Sequence, residues 1–483
     1  MEPTPIPTPT EPEAPPSGRA FEFVDVSYRS GITTEHCHSW GSTWTDHDLD
    51  GDPDLVVNRH YFRPFAYDNL GGSYATASWQ GTLRVPGFDR HACSWADPSG
   101  DGRPDLLCTQ GAERGRGTGP NQLLIQNPDG SFTDQAASFG VEYNEGRTRL
   151  ANWVDYDGDN DLDLFMATQR RLGFPNRMYR YDGGRFERVR VGLEDELQTE
   201  ASAWSDWDRD GDVDLLLTLK NARAVAYENR RGRFRRTRIR RITTADWLGA
   251  SFGHFDRDRW PDLLLVNERR SIVLQNRRGR FAPVHKLDTP QGRMGVWFDA
   301  DNDVDQDIFL VRGAPGKGDD PEADDLPDLL LVREGKGFSR RTIPSSGVDT
   351  GNGDSAAVAD HDRDGTLDLF VTNGYKRSNG PFVLLENRSR VRRSAAVRLD
   401  GGKRDPYGMW ARLRVRAGDR VYWRQITDGL FFRSQSEIGY THLGLGRADR
   451  ARVTVIWRNG RRDCIGLRAG SLIHLRKGSS PCN

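Results

Sequence analysis

Residues 45–57 read TDHDLDGDPDLVV, with five carboxylates (Asp46, Asp48, Asp50, Asp52 and Asp54) on alternate positions ahead of an apolar run. Like charges packed this closely repel, and they raise one another's pKa unless a cation sits among them. The pattern returns as DPSGDGRPD (97–105), DYDGDNDLD (155–163), DWDRDGDVD (206–214), HFDRDRWPD (254–262), DADNDVDQD (299–307) and DHDRDGTLD (360–368). Successive starts lie 45 to 61 residues apart, which marks a repeat architecture.

Each loop runs into an apolar stretch such as LVV, LLC, LFM or IFL. Most are preceded, two positions before the first loop position, by an aromatic: Trp44, Trp95, Trp153, Trp204, Phe252 and Trp297, with Val358 the exception. The unit is strand, acidic loop, strand. Downstream comes a turn followed by an aromatic: NLGGSY, NPDGSF, YDGGRF, NRRGRF twice and GKGF, ending at Tyr74, Phe132, Phe186, Phe234, Phe281 and Phe338. That second hairpin makes each repeat a four-stranded meander. The seventh repeat stops at LLENRS (384–389), while the ordered chain begins with FEFVDVS (21–27). The expected fold is therefore all-β: a seven-bladed β-propeller over residues 20–390, closed by its N-terminal strand, with the aromatic stripe packed between blades.

The formal net charge of −1 hides a split. Residues 388–483 carry 22 Lys/Arg against 7 Asp/Glu, a surplus of 15, so the first 387 residues hold −16. Period-2 stretches VRLD, ARLRVRA and RVTVIW predict a small β-sandwich-like domain over 391–477, followed by a tail at 478–483. Its arginines are expected on a solvated face. Residues 1–19, rich in Pro and Thr, read as a disordered tether. No window is long and apolar enough to span a membrane, and the N-terminus lacks the parts of a signal peptide. A stalk of this kind often follows a removed signal or lipid-anchor segment, so secretion or cell-surface anchoring is expected. Of five cysteines, Cys93 and Cys108 flank one loop symmetrically and are paired in this reading, as are Cys464 and Cys482; Cys37 is left over.

The loop chemistry selects the cation. Side chains at positions 1, 3, 5 and 9, a carbonyl at 7, and Gly or Asn at 6 give the all-oxygen shell that Ca²⁺ prefers, and no His or Cys recurs to favour zinc or copper. A helical EF-hand is excluded, because the ninth position is Asp and a β run starts at once. The seven loops hold 30 of the chain's 70 acidic residues, too many for solvated turns alone. The expected ligand sets are Asp46, Asp48, Asp50, Asp52 and Asp54; Asp97, Ser99, Asp101, Arg103 (through its carbonyl) and Asp105; Asp155, Asp157, Asp159, Asp161 and Asp163; Asp206, Asp208, Asp210, Asp212 and Asp214; Asp299, Asp301, Asp303, Asp305 and Asp307; and Asp360, Asp362, Asp364, Thr366 and Asp368. The fifth loop, with His254 at position 1 and Arg259 in the turn, is expected empty. About six structural Ca²⁺ ions result.

These loops and turn-aromatic strands resemble the FG-GAP/VCBS repeats of integrin-α-like propellers. VRLDGG (397–402), FFRSQSEIGYTHLGLG (431–446) and VTVIWRNGR (453–461) resemble the ASPIC/UnbV domain of cartilage-acidic-protein-like proteins, although WRNG stands where that family usually has WPSG and no EGF-like module follows. The resemblance implies an extracellular, non-catalytic binding or adhesion protein.

In such a meander the longest loops lie on the face opposite the acidic ones. Arg59, His60, Tyr61, Arg63, Arg114, Arg116, Arg170, Arg171, Phe174, Tyr375, Lys376 and Arg377 mix guanidinium and aromatic groups there, which suits a glycan or an acidic protein surface. Nucleic acid is not expected as a partner, no membrane span is expected, lipid or surface anchoring would run through the N-terminal tether, and the chain is expected to be monomeric. The competing expectation is a calcium-dependent polysaccharide lyase or hydrolase, for which His36, His38, His60, Tyr61 and Arg59 form the candidate cluster.

Overall fold

The computed structural model describes residues 21–32, 39–59, 62–83, 88–113, 118–168, 174–220, 222–239, 242, 246–313, 326–343, 353–374, 382–389 and 392–482. Among them, seven repeats each form an antiparallel meander with neighbours in sequence order. The third is typical, with strands Thr148–Val154, Asp163–Thr168, Arg177–Asp182 and Arg185–Val189. In the seventh sheet the fourth place is taken by Phe23–Asp25, which pairs antiparallel with Val383–Asn387.

Burial explains the composition of each strand. First strands such as Thr148–Val154 and Thr199–Ser205 are buried at every position, because sheets press on both their faces. Fourth strands such as Phe132–Asp134 bury only the aromatic. First strands of successive sheets touch in order, and Ser355–Ala359 of the seventh touches Ser39–Thr45 of the first. The arrangement is all-β and fits a β-propeller. Trp44, Trp95, Trp153, Trp204 and Trp297 are all buried, as the aromatic stripe implied.

In several repeats side chains stitch neighbouring sheets together. The ring at loop position 2 packs against the turn-aromatic of the next sheet: Tyr156 tilted against Phe234, Trp207 edge-on to Phe281, Phe255 tilted against Phe338, and His361 stacked on Tyr74 across the chain ends. An asparagine ending the third strand then donates back to the carbonyl of such a residue. Asn229 Nδ2 reaches Tyr156 O at 2.7 Å, Asn276 Nδ2 reaches Trp207 O at 2.8 Å, and Asn69 Nδ2 reaches His361 O at 2.7 Å. The Oδ1 of the same asparagines accepts from the turn glycines Gly232, Gly279 and Gly72. This is why Asn opens those turns.

Beyond the repeats, a three-stranded sheet (Thr441–Gly446, Arg393–Asp400, Leu472–Arg476) and a four-stranded sheet (Arg420–Gln425, Arg412–Ala417, Arg450–Ile456, Arg462–Arg468) enclose a core of Val397, Leu413, Val415, Leu443, Val453 and Trp457. This C-terminal unit sits on the acidic-loop face. Val304, from the sixth loop, is fully buried in its core.

A hairpin of the unit (Leu430–Phe431 with Ser434–Gln435) runs between the repeats and adds to the first sheet, Gln435 lying parallel to Thr43. Gln435 Oε1 accepts from Trp95 N at 2.7 Å and from Thr43 Oγ1 at 2.6 Å, while its Nε2 donates to Trp95 O at 3.1 Å. Arg433, 2% exposed, pairs with Asp354 and with Glu200 at 3.2 Å. The side chains of Arg149 and Arg433 hold the Glu200 carboxyl down at about 2 against the upward push of burial.

Candidate metal centres

The acidic loops share one backbone course. Position 4 is left-handed in all seven: Leu49, Gly100, Gly158, Arg209, Arg257, Asn302 and Arg363 have φ between 57° and 82°. Position 6 is left-handed in six, at Gly51, Gly102, Asn160, Gly211, Val304 and Gly365, but not at Arg259 of the fifth. Non-glycine residues adopt this region at a cost and keep it only where the surroundings demand it, and a β-branched Val at φ 76° is a true outlier.

Position 9 is a bracket as well as a candidate ligand. Asp54 accepts from His47 N and Asn69 N, both at 2.8 Å, tying the loop to the third strand. Asp105, Asp163, Asp214, Asp262, Asp307 and Asp368 repeat this with their own pair of amides. Burial pushes these carboxyls up, to about 7 for Asp54 and Asp105, about 8 for Asp262 and about 9 for Asp163 and Asp214. A neighbouring cation favours the ionised form of such groups.

Oxygens converge in several loops. Asp46, Asp48 and Asp50, then Asp155, Asp157 and Asp163, then Asp206, Asp208 and Asp210 each bring ligand atoms within 4.8 Å of one another. Asp46 Oδ1, Asp157 Oδ1 and Asp206 Oδ1 are buried and accept no hydrogen bond. A buried carboxylate oxygen without a partner is costly, so the donor set fits a hard cation.

The second and fifth loops meet charge with groups of their own repeat. In the second, Asp97 accepts from Ser99 Oγ and from the amides of Gly100, Asp101 and Gly102, and Arg103 pairs with Asp101. In the fifth, Gln275 donates to Asp256, Arg257 turns away to Asp305, and His254 Nδ1 lies 3.2 Å from Asp258 O.

The arginines of the C-terminal unit divide: Arg416, Arg447, Arg450, Arg452, Arg461, Arg462, Arg468 and Arg476 are exposed, as expected of a solvated face, while others turn inward. Several of the unit's arginines meet the acidic loops: Arg398 reaches Asp46 at 2.6 Å, Arg404 reaches Asp161 at 2.9 Å, Arg458 reaches Asp155 at 3.1 Å, and Arg412 lies 3.6 Å from Asp206. Tyr440 donates to Asp360 at 2.9 Å, and Glu437 takes Arg363 from the seventh loop. The opposite charges of the two parts of the chain were the available signal.

Disulfides join Cys93 to Cys108 across adjacent strands and Cys464 to Cys482. Of the opposite-face residues, His60, Tyr61, Arg114, Arg116, Arg170, Arg171, Tyr375, Lys376 and Arg377 lie outside the described residues, with His36, Cys37 and His38. Arg59 folds back onto its own loop, Nε donating to Arg63 O at 2.8 Å with the guanidinium 3.9 Å from the Phe65 centroid. Phe174 packs against the core. Both of these side chains contact the scaffold itself.

A family profile described as an FG-GAP-like repeat matches residues 97–166 and 155–217. No curated protein matches the chain. Among solved structures, the chain is similar to an Agrocybe aegerita lectin described in terms of specific recognition of non-reducing terminal N-acetylglucosamine, at 15% identity over 65% of this chain and 82% of that one, TM-score 0.45. It is also similar to a chain of a mitotic checkpoint complex (10% identity, 80% and 98% covered, TM-score 0.49) and to BBS1N in complex with ARL6DN (10%, 75% and 96%, 0.46). The repeats at residues 97–217 are FG-GAP-like.

Proposed function

We propose that this chain is an extracellular, calcium-stabilised, non-catalytic binding or adhesion protein. It is a seven-bladed propeller of FG-GAP-like repeats, closed by its N-terminal strand and capped by an ASPIC/UnbV-like domain. Its protein or glycan partner docks on the face opposite the acidic loops.

The observation that carries the reading is the cap. The C-terminal unit covers the acidic face and sends Leu430–Gln435 between the sheets, so a macromolecular partner is directed to the other face. Calcium is supported by the three orphaned buried oxygens on Asp46, Asp157 and Asp206. Those loops would hold the ion through the carboxylates at positions 1, 3, 5 and 9. Its chemistry there is charge neutralisation and fixing of the hairpin. Two disulfides fit an oxidising compartment, and among the described residues no helix is long and apolar enough to cross a membrane.

Calcium stoichiometry measured with thermal unfolding, with and without chelator, tests the scaffold. Several ions per chain and a large fall in melting temperature on chelation are expected; unchanged melting with no bound calcium removes the reading. Binding of the full chain to arrayed glycans and matrix proteins, with Arg63→Glu as the perturbation of the open face, tests the partner.

A further inference from the structure

The sixth loop differs from the first, third, fourth and seventh in what stands beside positions 3 and 5. Among the described residues, no ion pair reaches Asp48 or Asp50, Asp157 or Asp159, Asp208 or Asp210, Asp362 or Asp364; in the first, third and fourth loops the arginines of the C-terminal unit engage the side chain at position 1 or position 7. In the sixth loop Arg392 Nη1 lies 3.4 Å from Asp301 Oδ2 and 2.7 Å from Asp303 Oδ2 at once. One guanidinium nitrogen bridges the two carboxylates that a divalent ion would bridge.

Arg392 is held in that register by its own backbone. Its amide donates to Asp301 O at 3.1 Å, and its carbonyl accepts from Asn302 Nδ2 at 3.1 Å. Asn302 is fixed in turn: Nδ2 also reaches Gly365 O at 2.9 Å, and Oδ1 meets His442 Nε2 at 2.6 Å. Carbonyl lone pairs are taken too, by Arg420 on Asp303 O at 2.7 Å and Arg424 on Val304 O at 2.9 Å. Arg257 holds Asp305. A divalent ion entering here would face like charge, and the carboxylates it needs at positions 3 and 5 are already paired.

We propose that the Arg392 guanidinium takes the place of the divalent cation in the sixth loop, making that loop the calcium-independent anchor of the C-terminal unit. The inference rests on the calcium reading of the other loops and lowers the expected ion count by one. It also gives Val304 a reason for its strained backbone, since the loop is fixed by the apolar core it enters.

The test counts calcium ions per chain by native mass spectrometry on the full protein equilibrated with calcium chloride. Relative to wild type, Asp303→Asn leaves the count unchanged and Arg392→Ala raises it by one. Loss of an ion in Asp303→Asn, or no gain in Arg392→Ala, overturns the proposal. Should Arg392→Ala fail to fold, Arg392→Gln keeps hydrogen bonding without the charge and carries the same expectation. Asp159→Asn in the third loop separates the two readings: it loses one ion if the calcium reading holds there, whatever happens at Arg392.

Discussion

Arg398 Nη2 donates to Asp46 Oδ2 at 2.6 Å across 352 residues of chain, joining the C-terminal unit to the first acidic loop. Together with Arg433, which pairs with Glu200 and Asp354 deep between the sheets, this makes the two parts one mechanical body. Unfolding followed by tryptophan fluorescence and by circular dichroism is expected as a single coincident transition, since both parts carry buried Trp; two separated transitions would contradict the coupling. Arg433→Met leaves two buried carboxylates short of a counter-charge and is expected to cost about 3–5 kcal/mol.

Asn229 serves three hydrogen bonds, to Tyr156 O, Val213 O and from Gly232 N. Asn229→Ala leaves those buried groups unmet and is expected to lower stability by about 1–3 kcal/mol. Asn127, whose side-chain bonds are exposed, serves as the control: Asn127→Ala is expected to stay within about 0.5 kcal/mol. Equal effects in urea titrations would show that the inter-sheet stitch contributes nothing.

The bracket and ligand roles of the aspartates separate by calcium. Asp262→Asn, in the loop read as empty, removes an acceptor for the Phe255 or Asn276 amide and is expected to cost about 1–3 kcal/mol with or without chelator. Asp48→Asn, in the first loop, is expected to lower the melting temperature only when calcium is present. Calcium-dependence of the Asp262 variant would mean that the fifth loop is occupied.

Burial, with Arg424 nearby, depresses His254 from its usual 6.5 to about 3. Between these values the unfolded chain binds a proton that the folded chain refuses. The resulting stability is therefore complete above pH 6.5 and lost as pH falls toward 3. His254→Gln is expected to flatten the decline of unfolding free energy between pH 6.5 and 4.5 relative to wild type. Parallel curves would show that His254 does not contribute.

The local grammar of this protein was legible in one dimension. Alternating acids followed at once by an apolar strand, and an aromatic two positions upstream, specify meander and core, because strand periodicity and burial act on neighbours in sequence. Position 9 could be read as a ligand; that it also accepts two amides, one from a strand about 15 residues on, needed the pairing of Asp54 with Asn69. Left-handed backbone at Leu49 or Arg209 leaves no trace in residues that ordinarily avoid it.

What the tertiary structure alone decided is where the basic C-terminal unit goes. Its surplus of charge was expected on a solvated face, and part of it instead meets the chain's own acidic loops, 91 residues away in Arg392 with Asp301 and 303 away in Arg458 with Asp155. Composition records how many charges a chain carries. Which guanidinium meets which carboxylate depends on the crossing of two rigid β units, and that geometry is set by packing of Val304 and the Leu430–Gln435 hairpin rather than by any local pattern.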